Sequence, residues 1–249
     1  MIRDAIKCIF DWGDAQSEIK TKEINGIIYS KDSVREVKPN ILYADPITVT
    51  TLDSLVDYIK GMNDEFQEIS NLMIHVENEK LVHLIGCLDR DRRREKLIDV
   101  VPSLPHISFN EYLPQDEFII MLQSCFEQSD DQKLLLQVAG TIESKTVKTY
   151  FDDGLAQSAV VNTGIASKEE IVVPDKVTLR PFRTFQEVAQ PSEQFVFRMR
   201  EDSSGRPSFM LKEADGGAWK LVSINCIQEY IRQAIDNCDA DIKDKIHVI

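Results

Sequence analysis

Residues 194–215 read QFVFRMREDSSGRPSFMLKEAD. Side chains alternate faces along an extended strand. Phe195, Phe197 and Met199 therefore point one way, and Val196, Arg198 and Arg200 the other. SSGRP is a turn, so SFMLKEAD pairs back on the first strand. Upstream, VTLRPFRTF at 177–185 is a further strand, which Pro181 assigns to an edge or a bulge. Downstream, Leu221, Ile224, Ile227, Ile231 and Ile235 predict a helix over 221–236, followed by a short polar tail. The back of the chain is thus an antiparallel meander closed by a helix.

Working outward, KTVKTYF, Asp152-Asp153-Gly154 and LAQSAVVNTG predict a hairpin. QKLLLQVAGTI is a helix started at Asp130-Asp131, and PQDEFIIMLQSCF a helix opened by Pro114 at its first position. KLIDVVP is a strand. NLMIHVENEKLVHLIGCLD is a hairpin turning near Asn78-Glu79. It brings His75 opposite His83 if its loop has three residues and offsets them by one if it has two. PITVT at 46–50 leads into a helix with Leu52, Leu55, Val56 and Ile59 on one face, capped by Thr50 or Thr51 and ended by Gly61. Asn25-Gly26 is a turn between strands, and residues 1–12 an amphipathic helix. The expected class is α+β, with N-terminal helices and hairpins before a C-terminal antiparallel meander closed by a helix. The expected core is Leu52, Leu55, Ile59, Phe118, Leu122, Phe195, Phe197, Trp219, Ile224 and Ile227.

The chain has 249 residues, of which 43% are apolar, with a net charge of -13. That composition excludes disordered, collagen-like and membrane-spanning classes, and it argues against a generally basic nucleic-acid binder. Residues 1–131 hold 25 acidic and 14 basic residues, whereas 132–249 hold 17 and 15. This asymmetry places a boundary near 130, between an acidic α+β lobe (1–130) and a β-rich lobe with a C-terminal helix (131–249). Five cysteines without a CxxC spacing read as reduced thiols of a cytoplasmic protein, with no zinc site and no disulfide scaffold.

Phosphate-binding glycine loops, a GxSxG elbow and HExxH are absent from the sequence. Glu36-Val37-Lys38 and Glu143-Ser144-Lys145 have the spacing of a magnesium-nuclease pair, but Pro174-Asp175 follows them in the wrong order. In LDRDRRREK at 88–96, acids interleave the arginines. Arg180, Arg183, Arg198 and Arg200 form a second basic group, which converges on an anion or nucleotide if strand 177–185 neighbours Arg198 and Arg200. The alternative is pairing with Glu187, Glu193, Glu201 and Glu213.

PFRTFQEVAQPSEQFVFRMR at 181–200, EADGGAWK at 213–220 and QSAVVNTG at 157–164 resemble the YfdQ-like family of uncharacterised phage and prophage proteins. The pattern falls on Pro181, Phe182, Arg183, Thr184, Phe185, Glu187, Gln190, Pro191, Phe195, Phe197, Arg198, Asp215, Gly216, Gly217 and Trp219. The resemblance implies a phage setting in a bacterial host cytoplasm and supplies no catalytic residue. Physically, Gly216-Gly217 permits a tight turn, Trp219 packs under the sheet, and an Arg183–Glu187 pair fixes the corner before Gln190-Pro191.

The expected function is that of a non-enzymatic phage accessory protein that acts by binding, without cofactor, metal or membrane. Self-association is expected because the 177–185 edge needs covering, and the other partner is an unidentified phage or host protein. The alternatives are a nucleotide- or nucleic-acid-binding protein that counters a host defence signal, and a magnesium-dependent nuclease.

Overall fold

The computed structural model describes the backbone of residues 21–24, 27–30, 35–36, 43, 45–61, 71–88, 92–142, 156–164 and 167–249, and the side chains at 43, 45–61, 71–88, 92–142 and 175–249. The expected helix at 1–12, the Asn25-Gly26 turn itself, both ExK triplets as such and the 145–155 half of the Asp152-Asp153-Gly154 hairpin lie outside these residues. The chain divides into two compact units, 1–43 and 44–249. The first contains β1 (Thr21–Ile24), β2 (Ile27–Ser30) and β3 (Arg35–Glu36) in one antiparallel sheet.

The second unit is α+β, with two sheets and a hairpin among the described residues. The first sheet has the order β14-β5-β6-β7-β4, from β4 (Ile47–Val49), β5 (Leu72–Asn78), β6 (Leu81–Gly86), β7 (Lys96–Val100) and β14 (Ile246–Val248). Its central pairs are antiparallel, and both outer pairs, β14–β5 and β4–β7, are parallel. Residues 246–248, expected to be a polar tail, thus form an edge strand. Ile246 and Val248 carry the alternation of a strand, but three residues are too few to signal one.

The second sheet is antiparallel, in the order β11-β12-β13-β8, from β8 (Leu113–Pro114), β11 (Lys176–Leu179), β12 (Glu193–Glu201) and β13 (Pro207–Glu213). β12 and β13 pair as the sequence predicts. β9 (Ala156–Gly164) and β10 (Ser167–Pro174) form a separate antiparallel hairpin.

Helix α1 (Leu52–Gly61) buries Leu52, Leu55, Val56 and Ile59. Thr51 Oγ1 accepts from the Ser54 N–H at 3.1 Å, and Glu187 Oε1 accepts from the Leu52 N–H at 2.7 Å. The cap is therefore shared between the expected threonine and a carboxylate 135 residues away. Helix α2 (Gln115–Cys125) buries Phe118, Met121, Leu122 and Cys125; Pro114 sits just before it with ψ 156°, outside the first turn where it was expected. Helix α3 (Asp130–Thr141) is capped by Ser129, whose oxygen accepts from the Gln132 N–H.

Helix α4 (Ala218–Asp236) starts three residues earlier than the apolar spacing indicates. Its buried stripe is Trp219, Ser223, Ile227, Ile231 and Ile235, which leaves Leu221 65% exposed. A short helix α5 (Ala240–Lys243) leads into β14.

Two cores result, and they interleave the chain. In one, α2 and α3 cover the second sheet, with Phe118 stacked on Phe209 at 5.1 Å between centroids. In the other, α1 and α4 cover the first sheet. The C-terminal helix therefore closes the front sheet, not the meander that precedes it. The boundary expected near 130 falls at the start of α3, inside the second unit. Every expected core residue is buried except Ile224, which packs half-buried against the second core.

The 177–185 edge, the basis for expecting self-association, meets neighbouring residues of the chain at three points. Asp131 Oδ2 accepts from the Thr178 N–H at 2.6 Å, the Glu127 N–H donates to the Arg180 carbonyl, and Phe126 bridges Pro181. Among the described residues no helix is long and apolar enough to cross a membrane.

Candidate functional site: the basic face of the second sheet

Alternation along β12 puts Phe195, Phe197 and Met199 into the core and leaves Gln194, Val196, Arg198 and Arg200 on the outer face. Pairing then adds residues from the neighbouring strands. Lys176 of β11 and Lys212 of β13 flank Val196, Met210 flanks Arg198, and Ser208 flanks Arg200. One face thus carries Lys176, Arg198, Arg200 and Lys212. Lys176, Arg200 and Lys212 are exposed; Val196, Arg198 and Met210 are half-buried between them. Successive rows stand about 7 Å apart, two residues of strand.

The charges of this face are only partly compensated. Arg198 Nη1 contacts Asp175 Oδ1 and also donates to the Phe197 carbonyl at 2.9 Å. The Arg200 guanidinium carbon lies 3.8 Å from the centroid of the Tyr112 ring. Lys176 and Lys212 have no ion-pair partner among the described residues. Four cations with one internal carboxylate partner make a surface suited to an anion wider than a single phosphate.

Of the four arginines expected to converge, only Arg198 and Arg200 share this face. Arg180 is exposed beyond the end of β11 and pairs with Glu127 at 3.5 Å. Arg183 is buried, so it is not a member of the face. Its Nη2 contacts Glu193, its Nη1 donates to Glu213 at 2.5 Å, and its guanidinium carbon lies 3.7 Å from the Trp219 ring centroid. Burial pushes the Arg183 guanidinium below its usual pKa, and Glu213 opposes that shift. The pairing alternative, which named Glu193 and Glu213, describes Arg183 correctly.

The remaining motif residues build the corner around this ion pair. Arg183 does not pair with Glu187, which caps α1 instead. Gln190 Oε1 accepts from the Arg183 N–H at 3.1 Å, and its Nε2 donates to the Phe185 carbonyl at 3.0 Å. Asp215 accepts from the Gly217 and Trp219 N–H groups and so caps α4. Gly216 and Gly217 take φ values of 68° and 86°, the left-handed region that glycine enters without strain. Trp219 is buried at the start of α4, stacked on Arg183 as a lid over the ion pair.

The histidines form a different arrangement. The β5–β6 turn has two residues, Glu79 and Lys80, but a bulge between Val76 and Asn78 restores the register, so His75 lies opposite His83. Buried His83 contacts Asp99 through Nδ1 at 2.5 Å and Glu77 through Nε2 at 2.7 Å. Both ring nitrogens are thereby engaged. Among the described residues no group of three or more His, Cys, Asp and Glu side chains is placed to hold a metal ion.

Lys176, Lys212 and Tyr112 were missed in the sequence. Lys212 was within reach of it: once SSGRP sets the hairpin register, Ser208, Met210 and Lys212 must share the side of Arg198 and Arg200, whereas Lys176 depends on the separate β11–β12 register. Tyr112 was not within reach, because β8 joins β13 from nearly a hundred residues upstream with only two paired residues. No family model matches this chain, no curated protein matches it, and no solved structure matches it.

Proposed function

We propose that the protein acts by binding and that its ligand is a phosphate-bearing polyanion held on the outer face of the second sheet. The observation that carries this reading is the placement of Lys176, Arg198, Arg200 and Lys212 on one accessible face of a chain with net charge -13. Local charge at a binding face, rather than net charge, decides contacts within a Debye length of about 8–10 Å. The phage or prophage setting implied by the YfdQ-like resemblance, in a bacterial cytoplasm, belongs to the same proposal.

The test is calorimetric titration of the intact chain with sodium polyphosphate at stepped salt. The expected result is affinity that weakens steeply with salt. Lys176→Ala/Lys212→Ala removes two exposed charges without breaking a described ion pair, and should weaken binding while leaving the unfolding midpoint nearly unchanged. Equal affinity of the double variant and the intact chain rejects the face as the site.

A further inference from the structure

We infer that the polyanion is an unpaired nucleic-acid strand and not a duplex; this deepens the reading above and rests on it. The first argument is size. β11 pairs with β12 at one end and β8 with β13 at the other, so at either end three strands about 4.8 Å apart span about 10 Å between the outer strand axes, before any side chain is counted. The major groove of duplex DNA is about 12 Å wide and admits a helix or a two-stranded ribbon. This sheet therefore meets a duplex only along its outer phosphates, and the bases stay out of reach.

The second argument is what stands between the cations. Val196 lies between Lys176 and Lys212, and Met210 lies beside Arg198. At the end of the face the Arg200 guanidinium is stacked on Tyr112. The ring meets that guanidinium at 3.8 Å, and the arginine remains exposed, so a planar cation is within reach of a ligand. Bases of an unpaired strand stack on arginine planes and aromatic rings, and their hydrophobic faces settle on half-buried apolar side chains. A duplex offers neither, since its bases are already stacked on one another. Cations in rows about 7 Å apart, interleaved with apolar and planar groups, thus match a ligand that presents phosphates and bare bases together.

The experiment is fluorescence anisotropy of a labelled oligothymidylate and of a labelled duplex of equal length, with sodium polyphosphate as competitor. The protein is the intact chain, Arg200→Lys or Tyr112→Ala. Arg200→Lys keeps the charge and removes the plane. The oligothymidylate should bind more tightly than the duplex, with log K falling against log salt at a slope of about -2 to -3 for three to four phosphate contacts. Arg200→Lys should weaken oligothymidylate binding about fivefold or more, with the salt slope retained and polyphosphate affinity unchanged. Tyr112→Ala should act in the same direction, with circular dichroism reporting its fold. Arg200 is exposed, so its variant remains informative if Tyr112→Ala unfolds.

Equal affinity for duplex and single strand, or an Arg200→Lys variant that binds oligothymidylate as the intact chain does, overturns the unpaired-strand inference and leaves polyanion binding standing. Failure of the intact chain to bind either nucleic acid or polyphosphate overturns both.

Discussion

Arg183 shows how far a single position can be read from sequence and where reading stops. Strand alternation assigns Arg198 and Arg200 to one face with no knowledge of the fold, and the structure places them there. Arg183 falls in the strand expected over 177–185, but β11 ends at Leu179, so alternation does not carry to Arg183, which turns inward to Glu193 and Glu213. Glu193 is 2% exposed at the core-facing end of β12, so without a cation it is a charge in an apolar setting. Removing one member of such a buried pair costs about 3–5 kcal/mol, whereas replacing both by apolar groups is often close to neutral. Arg183→Met should therefore destabilise by about 3–5 kcal/mol. Arg183→Met/Glu193→Leu should recover a large part of that loss. Urea unfolding of the two variants measures it, and a single variant no less stable than the double shows that the pair does not hold this corner together.

At the scale of elements, legibility followed the length of the apolar pattern. α1 shows apolar residues at i, i+3, i+4 and i+7 with little competition, and its buried face is the expected one; in α2 the expected Phe118 and Leu122 are buried, while Ile120 of the same apolar run is exposed. In α4 two registers compete. Leu221 and Val222 would extend the isoleucine stripe, but Trp219 takes the buried position because its ring covers Arg183. The contact between α1 and α4 was invisible in the sequence, since it joins residues 177 apart: the Tyr230 hydroxyl donates to Asp53 Oδ1. Desolvation first, then the Asp53 carboxylate, push the Tyr230 phenol from 10.0 up to about 12. Below pH 10.0 the phenol is neutral in both folded and unfolded chains, so this helix contact stabilises fully there. Between 10.0 and about 12 the unfolded phenol ionises while the folded one does not, and the contribution is lost. The intact chain should therefore lose more stability than Tyr230→Phe across that interval. Denaturant unfolding at stepped pH tests this, and parallel profiles for the two proteins would refute it.

For the whole molecule, charge and topology divide the chain differently. The acidic residues concentrate before position 131, yet α2, which lies in that part, covers the second sheet, and α4, from the back part, covers the first. Charge asymmetry reports the surface; a core is defined by which apolar faces meet, and linear composition does not contain that pairing. The interleaving has an energetic consequence. A fragment of residues 44–130 loses Phe185, Val188, Ile227, Ile231, Ile235 and Ile246 from the core of the first sheet. At about 1.5–3 kcal/mol for each buried side chain, the loss is about 9–18 kcal/mol, as large as the whole stability of a typical domain. A fragment of residues 131–249 keeps α3 but loses Phe118, Met121, Leu122 and Phe126 over its sheet, along with β8. Neither fragment should unfold cooperatively alone, while residues 44–249 should show one main transition. Thermal unfolding by near-ultraviolet circular dichroism separates the cases. A sharp transition in residues 131–249 by themselves would mean that the second sheet keeps its core without α2, and that the two cores are independent after all.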